Sequence, residues 1–233
     1  MNQLPNEIVD IIRNYILFKP ETKDELQEAV NLWCENKEDA LYKYGYISNW
    51  DTSLITDMRC LFFNKKDFND NINSWNVSSV TDMSYMFRGA SSFNQPLDSW
   101  DVEEVVWMGA MFNGASSFNQ PLDSWELLNV YTLEAMFSGA SSFNQPLNSW
   151  DTCLIIDMNN MFRGASSFNQ PLDSWDVSDV YQTFCMFQDA YSFNQDLNSW
   201  DVSKVDKWDD DMYDMFKGAS SFDKKNAIWY DFD

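Results

Sequence analysis

The feature that most constrains this chain is a repeat without slippage. Tryptophans stand at Trp50, Trp75, Trp100, Trp125, Trp150, Trp175 and Trp200, each 25 residues after the last. The stretch SSFNQPLDSW at 91–100 returns nearly unchanged at 116–125, 141–150 and 166–175, and in weaker form at 66–75, 191–200 and 220–229. One such unit cannot bury its own apolar face, so a fixed period of this size stacks like side chains coil upon coil. Ile47, Ile72, Leu97, Leu122, Leu147, Leu172 and Leu197 share one register. Phe68, Phe93, Phe118, Phe143, Phe168 and Phe193 share a second, and Phe62, Phe87, Phe112, Phe137, Phe162 and Phe187 a third. Each register is expected to form a column of a continuous core.

Within one coil, Val80, Met83, Met86, Phe87 and Ala90 fit one helical face, and Gly89 stands where such a helix would end. The stretch 93–102 reads as extended, with Pro96 and its copies Pro121, Pro146 and Pro171 at a corner, because proline cannot donate to a ladder. The expected fold is therefore α/β: a leucine-rich-repeat-like solenoid of about seven 25-residue coils, with short helices on one side and strands on the other. Successive rings should lie roughly 4.8 Å apart.

Residues 1–45 are expected to form a helical N-terminal cap, and 46–233 the repeat solenoid with a C-terminal capping coil. Residues 5–17 carry an amphipathic pattern, and the opening LPNEIVDII resembles the first helix of an F-box. Thr22 and Glu25 have capping-box spacing ahead of Leu26, Ala29, Val30 and Trp33, which predicts a helix over 23–35. Asn36 starts a third, and Gly45 is placed to end it. Near the far end four extra residues precede Met215, one helical turn's worth, so the last helix should be longer and a final strand should follow near Trp229.

The unit MFxGASSFNQPLxSWDVSxVxxM, as in 86–108, resembles the BspA-like leucine-rich repeat family. That family was first noted among mycoplasma surface proteins and is also seen in algae and large DNA viruses. The resemblance covers Ile47 to about Trp229. It implies a leucine-rich-repeat type of solenoid with Phe, Trp and Met in the leucine sites, and no catalytic residue comes with it.

Catalysis is not expected. Histidine is absent, which removes the commonest general base and metal ligand. The acids recur in every coil, whereas an active site should be a singular departure from the repeat. Cys34, Cys60, Cys153 and Cys185 are too irregularly spaced for a metal site or a disulfide framework and read as free thiols. A formal charge of -22 repels phosphate backbones and anionic lipid, so neither nucleic acid nor membrane is an expected partner. Neither a signal peptide nor a membrane span is recognisable, which predicts an intracellular protein, in the host cytoplasm or virion if viral.

The Trp column reads as a core ladder rather than a ligand-stacking platform, and the column Asn69 to Asn194 as a hydrogen-bonded ladder. Asp51, Asp101, Glu126, Asp151, Asp176 and Asp201 follow the tryptophans. Stacked carboxylates repel, so turn amides, a basic partner surface or bridging Ca²⁺ could offset them; Asp101, Glu126, Asp151, Asp176 and Asp201 are the calcium candidates. No cofactor is expected. The predicted function is a non-enzymatic scaffold for protein–protein interaction. Its contact surface should lie where coils depart from consensus: Glu103, Glu104 and Trp107, then Leu127, Leu128 and Tyr131, then Tyr181 and Gln182. The alternatives are a structural component of a viral particle or other assembly, and an F-box-like adaptor acting through residues 4–17.

Overall fold

The computed structural model describes residues 17–205, 212 and 214–231. The amphipathic segment and F-box resemblance of residues 4–16 lie outside the described residues, as does most of the insertion read as a longer last helix. Helix α1 spans Lys23–Glu35. Thr22 caps it by accepting from the Glu25 amide, and the Glu25 carboxylate accepts in return from the Glu21 amide at 2.7 Å. Helix α2 spans Lys37–Tyr44, started by Asn36 accepting from the Asp39 amide and ended by Gly45 at φ 70°. No helix among the described residues is long and apolar enough to cross a membrane.

The two helices close the first coil. Leu26, Ala29, Val30, Trp33, Ala40 and Tyr44 are buried in the same core as Trp50, and the Trp33 and Trp50 rings meet edge-on at 5.8 Å. Trp33 Nε1 donates to Asp70 at 2.8 Å and Gln27 Nε2 to the Leu61 carbonyl at 3.0 Å. An open coil end otherwise leaves a naked core face and unpaired backbone groups, and these contacts cover both.

Just ahead of α1, Lys19 donates to Asp51 at 2.8 Å, and the Asp51 carboxylate also accepts from the Ser53 amide at 3.0 Å. The lysine first, then the Ser53 hydrogen bonds, hold its pKa down at about 2. A carboxyl depressed below its unfolded value adds stability above that value and loses it as pH falls through the folded one, here between about 4 and 2. Lys19→Ala is expected to return the Asp51 titration toward the ordinary carboxylate range, as read by carbonyl NMR shifts, with little effect on neutral-pH stability because the pair is solvent-exposed.

The repeat itself corrects the expected fold. Among the described residues there is no sheet, and no α-helix lies within a coil. The coils touch through isolated parallel bridges, Asp57 to Asp82 to Trp107 to Thr132 to Asp157 to Gln182. An α/β leucine-rich-repeat-like solenoid is therefore not what forms. The presumed helix over 80–90 is a string of overlapping turns. The Met86 amide donates to the Met83 carbonyl, Arg88 to Tyr85, and Ala90 to Phe87, each a step of three residues. The intervening amides of Met83, Tyr85, Phe87 and Gly89 instead reach the next coil, at the carbonyls of Trp107, Gly109, Met111 and Asn113 (2.7–2.9 Å). Backbone amides along this stretch thus find partners by alternating local closure with cross-coil pairing, and the Ser84 amide finds its own in the Asp82 carboxylate.

Left-handed residues enforce the alternation. Tyr85 and Gly89 lie at φ 60° and 72°, Ala110 and Gly114 at 54° and 70°. A left-handed residue at every fourth position prevents a right-handed helix from propagating. A run of three-residue steps still sends Val80, Met83, Met86 and Ala90 inward, which is why the sequence pattern resembles a helix. At the far end, where a strand was expected, the chain makes a 3-10 turn, η1, at Lys224–Asn226. Trp229 then places its ring on Trp200 at 6.3 Å.

The core is a set of aromatic ladders. Phe62, Phe87, Phe112, Phe137, Phe162, Phe187 and Phe216 stack with centroids 5.3–5.8 Å apart. The spacing exceeds the expected 4.8 Å, and successive rings lie within 9° of parallel. Each ring also lies about 4 Å from its own coil's second Phe, as Phe112 does from Phe118 at 4.0 Å. The seven tryptophans of the 25-residue column, Trp50 to Trp200, are buried as core: Trp100 donates to the Ile72 carbonyl at 3.1 Å, Trp125 to Leu97 at 3.0 Å and Trp150 to Leu122 at 2.9 Å. The asparagine ladder is equally regular. Asn94, Asn119, Asn144 and Asn169 each offer Oδ1 to the amide one coil on at 2.9 Å.

Candidate functional site

The outward-facing side chains along the bridge line are set by one register of each coil. At Asp57, Asp82 and Asp157 a carboxylate accepts from the amide two residues on, at 2.7–2.8 Å, and Thr132 does the same through its hydroxyl at 3.1 Å. Trp107 occupies this register in its coil and has no oxygen to offer, so that local turn support is absent there. The indole is instead half-exposed, at 51%. In the neighbouring register, Thr56 and Thr81 give way to Val106, Tyr131, Ile156 and Tyr181, and the last three are exposed.

These departures converge. Trp107, Tyr131, Ile156 and Tyr181 line one groove of about 630 Å³, with Ser84 and Tyr85 at one end, Gln182 at the other, and Glu134 and Asp157 among its polar members. Gly109 also lines it. Other coils carry Arg59, Ser84, Glu134, Asn159 and Phe184 in the Gly109 register, so the missing side chain leaves the groove open beside the indole. A Cβ built on Gly109 would meet only the Glu134 carbonyl, at 3.8 Å, an ordinary contact. The glycine is therefore not demanded by the backbone.

The candidate surface residues divide accordingly. Trp107, Tyr131, Tyr181 and Gln182 come together in the groove, while Glu103, Glu104 and Leu128 are exposed outside its lining. Leu127 is corrected: it is 2% exposed, stacked in the core register of Val77, Val102 and Val177 two residues after each tryptophan. Leucine there is a core variant, and counting from Trp125 would have revealed it. Gly109, Ile156 and Glu134 were missed because an absent side chain, or a lone aliphatic, stands out only when the registers are aligned around this line.

The carboxylates that follow the tryptophans are committed locally. Asp101, Asp151, Asp176 and Asp201 each accept from the amide two residues on, at 3.0–3.2 Å, while Glu126 is exposed. The Ser178 and Ser203 hydrogen bonds hold the Asp176 and Asp201 carboxyls below the usual range. Among the described residues no three Cys, Asp or Glu side chains gather closely enough to hold a metal ion. The four cysteines are free; Cys185 is buried and Cys153 exposed.

Residues 36–146 and 121–229 match a family model described as Mycoplasma protein of unknown function, DUF285. No curated protein and no solved structure matches the chain.

Proposed function

We propose that this chain, which belongs to the Mycoplasma family of unknown function DUF285, is a non-enzymatic scaffold that binds a protein partner along the groove over Trp107, Tyr131, Ile156 and Tyr181. The observation that carries this reading is Trp107 itself. At Asp57, Asp82, Thr132 and Asp157 its register holds a side-chain acceptor for the amide two residues on, and here an exposed indole replaces it. A place where a repeat gives up a local stabilising hydrogen bond for a half-exposed ring is where selection for something other than folding shows. Half-exposed tryptophan and tyrosine side chains are also the residues that dominate binding energy at protein interfaces.

The test uses the repeat's own alternative. Trp107→Thr restores the hydroxyl cap seen at Thr132 and is expected to leave thermal stability unchanged or raise it by up to about 1 kcal/mol. The same change is expected to weaken capture of a partner from native cells by roughly tenfold or more. Tyr191→Ser, which removes an equally exposed ring away from the groove, serves as control. A partner lost with the control and kept with Trp107→Thr would sink the reading.

A further inference from the structure

We propose that the groove takes an extended, lysine- or arginine-bearing segment of that partner, its cation seated against Trp107 and Tyr131 and facing Glu134. This rests on the interaction reading above and names the chemistry of its occupant. The aromatic line already carries the chain's own cations on both flanks. The Arg88 guanidinium lies 5.5 Å from the Tyr85 ring, and Lys204 Nζ lies 6.0 Å from the Tyr181 ring while paired with Asp179. Between them, Trp107 and Tyr131 have neither a cation nor a ring against them among the described residues.

A second precedent lies in the first coil. Arg59, in the Gly109 register, places its guanidinium 3.9 Å from both Asp57 and Asp82, two residues of the bridge line. The equivalent place in the groove lies between Trp107 and Thr132, and Gly109 brings no side chain to it. A cation over an indole face is favoured electrostatically, and more so when partly desolvated. Glu134 lines the same space and makes no ion pair among the described residues, and the chain's -22 charge draws cationic segments toward it.

Length selects a polymer over a small cation. The lining runs from Ser84 to Gln182 across five successive coils, which at about 4.8 Å per coil spans roughly 20 Å, the reach of about six extended residues. Exposed Ile156 supplies an apolar seat beside the cation's, so the fitting segment alternates basic and apolar side chains.

Fluorescein-labelled hexapeptides presented to the full chain test this, read by anisotropy. A lysine–leucine peptide is expected to bind at least tenfold more tightly than a lysine–serine peptide of equal charge, and more tightly still than a glutamate–leucine peptide. Gly109→Arg, which puts the chain's own guanidinium in the space, should weaken the lysine–leucine peptide at least tenfold, and Glu134→Gln by roughly threefold to tenfold. Both variants must first match the parent's melting curve. Equal binding of the lysine–serine peptide would reduce the effect to the general field and overturn the proposal, as would an affinity unmoved by Gly109→Arg. Should the native partner depend on Trp107 while no basic peptide binds, the occupant is wrong and the interaction reading stands; a native partner indifferent to Trp107→Thr sinks the reading itself.

Discussion

Phe137→Ala is expected to cost about 3–5 kcal/mol of stability, the range for deleting a fully buried aromatic ring from a core that cannot collapse around the void. Phe137 is completely buried and sits at the crossing of two ladders. Its ring lies 4.0 Å from Phe143, 5.7 Å from Phe112, 5.8 Å from Phe162 and 6.2 Å from Trp150. In a stack whose coils touch only their neighbours, a lesion in the middle also removes the coupling between the halves. Urea denaturation should therefore show a lower midpoint and a broader transition with a smaller apparent m-value, the sign of halves unfolding separately. Phe137→Leu keeps most of the apolar volume while losing the ring stack, and should fall between parent and alanine variant. A loss under about 1 kcal/mol for the alanine variant would mean that the ladder is not the source of stability.

Asn119→Ala is expected to cost about 1–3 kcal/mol, because it leaves a half-buried donor without its acceptor. Asn119 Oδ1 accepts from the Asn144 amide at 2.9 Å and from Gln145 Nε2 at 3.0 Å. The Gln145 amide group keeps the Asn119 carbonyl at 3.1 Å, so the backbone amide of Asn144 bears most of the loss. Asn119→Asp retains an acceptor oxygen of the same reach and should recover most of the stability at neutral pH. Hydrogen exchange supplies the local reading: the Asn144 amide should lose protection in the alanine variant and keep it in the aspartate variant. Equal losses in both variants would show that the amide's NH₂ side, rather than its oxygen, carries the ladder.

Much of this was legible in the residues. Helix α1 was readable to its ends because its signals are local: Thr22 caps, Glu25 returns the bond, and four apolar residues repeat at helical spacing. The columns of Phe, Trp and Asn were legible because a constant period fixes which side chains meet, whatever backbone lies between them. The conformation of that backbone was not. Val80, Met83, Met86 and Ala90 present the same inward spacing in a helix and in a chain of three-residue turns. What separates the two is the sign of φ at Tyr85 and Ala110, residues with no strong left-handed preference of their own. They adopt it because the next coil offers carbonyls to amides that a helix would have used internally.

The groove divides in the same way. Trp107, Tyr131 and Tyr181 stood out as departures from the repeat, since each is conspicuous against its own register. Leu127, beside them in sequence, turned inward because its register is a core column. By itself the sequence determined that coils stack, which side chains form the columns, and how the N-terminal helices begin and end. Only the tertiary structure decided that the coils are made of turns rather than helices and strands, and that a missing side chain at Gly109 opens a groove beside an uncapped Trp107. Both outcomes depend on what the neighbouring coil supplies, a hydrogen-bond acceptor in one case and empty space in the other, and neither is encoded within a single repeat.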